Sequence, residues 1–217
     1  MGAAQVAPGQ DPASSIRPAA APAATASAIP VPLCVLGVDP GLNCTGYGVL
    51  EVRPGAIGLR EAGVIRTLAS ADLAARLAEI HQGIGEVLAA FRPAALALEQ
   101  IYSHYQHPRT SVLMAHARGV ICLAAAQAGI PLAHYAATQV KKTLTGSGRA
   151  GKPQMQRAVC RELGLTAPPE PPDVADALAL ALCHVYLEPA WLAVMRAGAT
   201  PSARGRVVMH PEGSPSS

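Results

Sequence analysis

Aromatic side chains are nearly missing from this chain: one Phe, one Trp and five Tyr among 217 residues. Its core must therefore be packed by Ala, Leu, Val and Ile. Charged residues are also few, at 14%, whereas 50% of the chain is apolar. That balance supports a buried core and excludes wholesale disorder. No run approaches the ~18 uncharged apolar residues of a membrane helix, so a transmembrane reading is excluded. The length suits one domain of roughly 150–200 residues plus tails, not two large lobes. The five cysteines, at 34, 44, 122, 160 and 183, are odd in number, widely spaced and without a CxxC pair. A disulfide scaffold and a zinc ribbon are thereby excluded, and inert thiols in a reducing, cytoplasmic setting are expected.

Net charge is only +3, but its distribution is uneven. All three lysines, Lys141, Lys142 and Lys152, fall within twelve positions. With Arg149, Arg157 and Arg161 they make six basic side chains between 141 and 161, and no acid lies among them. One basic face on a nearly neutral chain implies a polyanion bound at one place.

Residues 1–32 are rich in Ala, Pro and Ser, with prolines at 8, 12, 18, 22, 30 and 32, and read as a disordered arm. They lack the basic start and uninterrupted apolar stretch of a secretory signal. Residues 189–217, with Pro201, Pro211 and Pro215, read as a flexible tail. The stretch 33–188 reads as one α/β domain. Apolar or alternating runs predict strands over 33–39, 47–52, 59–67, 94–98 and 131–135. Helical spacing predicts helices over 73–91, 110–128, 139–144, 153–163 and 173–187. Gly129 is expected to end the second helix, and Thr138 to cap the third. This order predicts a mixed sheet with helices packed on it.

Four acids stand out. Asp39 ends one apolar strand and Glu99 ends another. If the two strands are parallel neighbours, both carboxylates emerge at one sheet edge, where α/β folds place their sites. Asp173 and Asp176 are spaced i, i+3 at a helix start, which puts them on one face at the positive end of the helix dipole. Gathered together, the four would repel, and some would hold protons. A hard divalent cation such as Mg²⁺ resolves that repulsion. Beside a basic face, such a centre suits phosphodiester hydrolysis with two ions, one activating water and one steadying the leaving oxygen. The plainer alternative is that Asp39 opens a Pro-Gly turn and Asp173 caps a helix. Glu99 has no such structural explanation.

Several blocks carry a likeness. Gly37-Val38-Asp39-Pro40-Gly41 and Thr45-Gly46-Tyr47-Gly48-Val49 resemble the opening of the RuvC-type Holliday-junction resolvases. Leu98-Glu99-Gln100, Ala117-Arg118-Gly119-Val120, the block from Tyr135 to Lys141, Gly151-Lys152 and the block from Asp173 to Ala179 are similar to its later motifs, in the same order. The resemblance implies an RNase H-like mixed sheet with helices on both faces. It implies a homodimer that cuts opposed strands of four-way junction DNA, leaving 5′-phosphate ends, after handover from the RuvA–RuvB branch-migration complex. It places Asp39, Glu99, Asp173 and Asp176 at the positions that bind two Mg²⁺ ions, with Mn²⁺ a possible substitute. Tyr102 stands where the family usually has Phe in a base-contacting loop, and a ring stacks on an unpaired base for ~1–3 kcal/mol. Lys141 and Lys152 match basic positions that contact DNA. The loop after Tyr102 departs from the family pattern, with Gln106 where Asn is common.

Residues 146–153 spell both GxGxxG and GxxxxGK. A P-loop needs Ser or Thr after the lysine and a strand before the glycines, whereas Pro153 and a helix stand there. The segment reads instead as a loop that offers Arg149 and Lys152 to phosphates, or as plain surface. Arg118 reads as a DNA contact or as a pin between helix and sheet, His184 as a packed helix residue. An actin-like ATP-dependent kinase would need a second phosphate loop and a second lobe. An RNase H-like nuclease acting on another nucleic acid, and a dead binding module, are the remaining rivals.

Overall fold

The computed structural model describes residues 32–100 and 108–197. The expected N-terminal arm lies outside them up to Val31, as do Tyr102 with the rest of its loop and everything beyond Ala197. The described elements run β1 (Leu33–Asp39), β2 (Cys44–Arg53), β3 (Ala56–Arg66), α1 (Leu73–Phe91), β4 (Ala95–Glu99), α2 (Pro108–Gln127), β5 (Leu132–Tyr135), α3 (Ala137–Thr145), α4 (Lys152–Leu163), α5 (Pro172–Leu187) and α6 (Pro189–Ala197). The strands form one five-stranded sheet in the order β3-β2-β1-β4-β5. The β1–β2 and β2–β3 pairs are antiparallel, and β1–β4 and β4–β5 are parallel. This is the expected mixed sheet.

Strand alternation sorts side chains to two faces. Val35, Leu50, Ala95 and Ala97 belong to a core shared with α3, α4, α5 and α6. Leu36, Val38, Val49, Leu96 and Leu98 join α1 and α2 on the other face. Helices therefore cover both faces, as expected. Burying each such Leu, Ile or Val fully is worth roughly 1.5–3 kcal/mol, so aliphatic packing stands in for the scarce rings.

Glycine sets how closely α5 lies on the sheet. A Cβ on Gly37 would sit 2.0 Å from the Ala177 carbonyl oxygen of α5, and one on Gly46 would sit 2.1 Å from that of Asp173. Both positions are extended backbone, so the requirement is for space, not for unusual dihedral angles. The glycines of the sequence blocks around 37 and 46 thus let a helix backbone rest directly on β1 and β2.

Two expectations need correcting. Residues 189–197 are not the start of a tail but helix α6, which buries Trp191 and Val194. Packed structure runs on at least to Ala197, past the expected boundary at 188. Thr138 does not cap α3: Ala136 holds the cap position and no side chain bonds there. Gly129 does follow α2 in the left-handed conformation, with φ 68°. All five cysteines are free thiols. Among the described residues, no single helix is long and apolar enough to cross a membrane.

Candidate active site

The parity of β1 and β4 fixes where their last residues point. The β1–β4 ladder ends at Val38 opposite Leu98, so Asp39 and Glu99 follow side by side. Counting in twos from Val35 and Ala97, both fall on the face covered by α5. That helix begins at Pro172, and its first turns carry Asp173 and Asp176. Pro171 holds its cap position with no side-chain bond, so Asp173 is not a helix cap. The plainer explanation of that residue fails.

The loop after Asp39 is held from three sides. Thr45, fully buried, donates to the Gly41 carbonyl at 2.7 Å. Thr67 donates to the Leu42 carbonyl at 2.6 Å. Arg76, buried on α1, donates to that same carbonyl at 3.1 Å, to Thr67 Oγ1 at 2.9 Å and to the Asn43 side chain. The segment is an anchored strand ending, not an exposed turn.

Asp39, Glu99 and Asp176 line one cleft of about 220 Å³ with Lys141, Lys152, Val140 and Met155. Asp39 and Asp173 line a neighbouring groove with Asn43, Cys44 and Arg76. Asp39 is thus shared between the two. Burial, then the charges of Glu99, Asp176 and Asp173, push its carboxyl up to about 8. Asp39 and Glu99 also share a side-chain hydrogen bond. Burial and the Asp176 charge raise Glu99, while Lys141 pulls it back. Burial raises Asp176 as well, opposed first by Lys152. Asp39 therefore senses the charge of all three other acids. The four are not a closed ligand set, since among the described residues no group of three or more His, Cys, Asp or Glu side chains is arranged to hold a metal ion.

Lys141 and Lys152 face the acids, whereas Arg149 is exposed on the turn before α4 and lines neither hollow. That turn is tied internally, Ser147 donating its N–H to Thr145 Oγ1 at 3.2 Å and Ala150 its own to the Ser147 carbonyl at 3.2 Å. Helix α3, not a strand, precedes it, so the P-loop reading falls. Sequence reading missed Arg76 and also Cys44, whose thiol bonds Asp173. Neither follows a periodicity. The one available signal was Cys44's position between the two motif blocks, Gly37–Gly41 and Thr45–Val49. Arg118, read two ways from sequence, donates from Nε to the Glu99 carbonyl at 3.2 Å.

A mixed five-stranded sheet with helices on both faces, acids closing its two central parallel strands and two more on the helix above, defines an RNase H-like protein with a carboxylate centre. The family model described as crossover junction endodeoxyribonuclease RuvC matches residues 35–184. The protein of that name from Rhodopirellula baltica is 56% identical over 154 residues, covering 71% of this chain and 86% of that one. Its namesake from Streptomyces avermitilis is 46% identical over 173 residues, covering 79% of this chain and 98% of that one. Thermus thermophilus RuvC, solved in complex with a Holliday junction substrate, superposes with a TM-score of 0.69 at 34% identity, covering 75% of this chain and 97% of that one. The chain belongs to the RuvC family.

Proposed function

We propose that this chain is a crossover junction endodeoxyribonuclease, which as a homodimer cuts two opposed strands of a four-way DNA junction. The observation that carries the reading is the single cleft in which Asp39, Glu99 and Asp176 meet Lys141 and Lys152. Acids alone would repel a phosphodiester, and lysines alone would only bind it. The combination both draws in the backbone and holds a centre for hydrolysis.

The donor chemistry of the four acids suits hard divalent ions. The donors are carboxylate oxygens; burial and neighbouring acids raise Asp39, Glu99 and Asp176, and a cation would relieve that repulsion. Asp39, Glu99, Asp173 and Asp176 are the residues that would hold two Mg²⁺ ions, with Mn²⁺ as a substitute. When bound, such ions activate a water and stabilise charge on the leaving 3′ oxygen. Lys141 and Lys152 screen the acids and reach backbone phosphates, and Arg149 extends the basic edge outside the cleft. Tyr102, outside the described residues, is assigned to base stacking by family resemblance. Attack of water on phosphorus with departure of the 3′ oxygen leaves 5′-phosphate and 3′-hydroxyl ends.

A two-fold dimer suits a two-fold junction. Helix α2 leaves Val112 54% and Leu123 50% exposed on one face, eleven residues apart, an apolar stripe that a second copy would cover. Receipt of the junction from the RuvA–RuvB complex, and residence in a bacterial cytoplasm, complete the proposal through family membership alone. The test offers the full chain a labelled four-way junction, the matching linear duplex and an RNA–DNA hybrid, each with Mg²⁺ and with EDTA. Paired cuts in the junction alone, abolished by EDTA, are expected. Equal cutting of the hybrid would replace the junction reading with a general RNase H-like one.

A further inference from the structure

The carboxylate of Glu99 is useful only if the end of β4 is held still. On one side the β1–β4 ladder stops at Val38–Leu98, one residue short of it. On the other, the Gln100 N–H donates to the Tyr135 carbonyl at 2.9 Å. The Glu99 carbonyl is taken by a side chain. Arg118, reaching over from α2, donates to it from Nε at 3.2 Å. The same guanidinium places Nη2 3.0 Å from Nδ1 of His134 in β5. Arginine can only donate, so His134 Nδ1 must be the acceptor, and its ring is neutral with hydrogen on Nε2. Partial desolvation, and then the Arg118 charge, hold the exposed His134 below its usual range, which keeps that acceptor free.

We infer that Arg118 and His134 are a positioning pair for the reaction: the guanidinium, aimed by the imidazole, anchors the Glu99 carbonyl and so places its carboxylate in the acid cleft. The inference rests on the nuclease reading above. Two parallel donors on one rigid fork fix an orientation that a single ammonium cannot. Arg118 touches backbone and another side chain, and it lies on the α2 side of the sheet, opposite α5. Its part is to position Glu99, and it is not a member of the reacting centre. The same bond holds the point from which residues 101–107 depart.

The test uses the full chain with Arg118→Ala, Arg118→Lys, His134→Gln and His134→Lys. Three quantities are read: junction binding in EDTA, single-turnover cleavage against Mg²⁺ concentration, and Mg²⁺ or Mn²⁺ binding by calorimetry without DNA. Both Arg118 variants and His134→Lys are expected to cleave at least ~10-fold more slowly and to bind metal more weakly, with junction binding in EDTA kept, because misplacing a reacting group by about 1 Å costs up to ~100-fold. His134→Gln, whose amide oxygen accepts the same bond, should retain most of the wild-type rate and metal affinity. Loss of binding in EDTA in step with cleavage would make Arg118 a DNA contact and overturn the inference. A fall in melting temperature with rate per folded molecule and metal affinity unchanged would reduce the pair to a structural pin, and overturn it as well. If the wild type itself fails to cut the junction, the nuclease reading fails, and the metal titrations still report on the pair.

Discussion

Asp39 is where opposing demands meet. It must be ionised to bind a cation, yet burial and three neighbouring acids favour its protonated form and raise it to about 8. An ordinary aspartate titrates near ~3.9. The folded state therefore gains from the proton: the contribution is complete below about pH 4 and is lost as pH rises toward about 8. Asp39→Asn keeps the shape and removes the charge. In EDTA its melting temperature should exceed the wild type's at pH 8 by ~2–4 °C per kcal/mol recovered, with the gap closing toward pH 4. The same variant should bind a junction almost normally and cut none, measured by gel shift and by cleavage of labelled DNA. Lys141 and Lys152 answer to a different measurement. Replacing either with Ala should weaken junction binding and lower the slope of log affinity against log salt by about 1, since each neutralises about one phosphate.

At the scale of elements, α5 carries the site because β1 and β2 let it approach. Gly37 and Gly46 were visible in the sequence as motif letters, but their purpose was not, because close approach is a property of two elements that meet only in the fold. The adjacency of Asp39 and Glu99 was legible conditionally. Each strand announced itself by an apolar run ending in an acid, and only pairing could join them. Helix α6 was illegible for a different reason. Pro189 and the Pro-, Gly- and Ser-rich stretch beyond hid the one-turn spacing of Trp191 and Val194, which meets a partner only in the core under α5. There Trp191 stands edge-on to His184 with ring centroids 5.0 Å apart. His184 Nδ1 lies 2.8 Å from the Tyr135 hydroxyl, while Nε2 is buried without a partner. Burial lowers His184, opposed by Glu188. The neutral ring thus stabilises this packing, and that stability is lost as pH falls below about 6.5, where the unfolded histidine charges first. Trp191 is the only tryptophan of the chain, so its fluorescence should report weakened docking of α6 on acidification. His184→Leu should remove that change.

For the whole molecule, the governing quantity is how many cuts each encounter produces. One cleft cuts one strand, and resolution needs two opposed cuts, so the proposed dimer would set two clefts at a fixed separation. The α1–α2 face is the place to look, since α2 is apolar on its outer side as well as its inner one. Ala117, Ile121 and Ala124 are buried against the sheet, while Val112 and Leu123 face out. Between them His116 and Gly119 are exposed, and a Cβ on Gly119 would meet nothing within 4 Å. A helix crossing at a small residue can approach closely and bury both flanking side chains. Two like charges placed there would face their own copies across a two-fold axis and repel. Val112→Glu combined with Leu123→Glu should therefore shift the chain from dimer to monomer by sedimentation or light scattering, with circular dichroism and the melting transition of the fold retained. The monomer keeps Asp39, Glu99, Asp173 and Asp176, so it should still nick a junction, but the second cut should no longer follow the first in the same encounter. A supercoiled plasmid bearing an extruded cruciform separates the two results, because paired cuts give linear DNA and independent nicks give open circles. A variant that stays dimeric would place the dimer surface elsewhere on the fold, and linear product from a demonstrably monomeric one would show that paired cutting does not depend on the dimer.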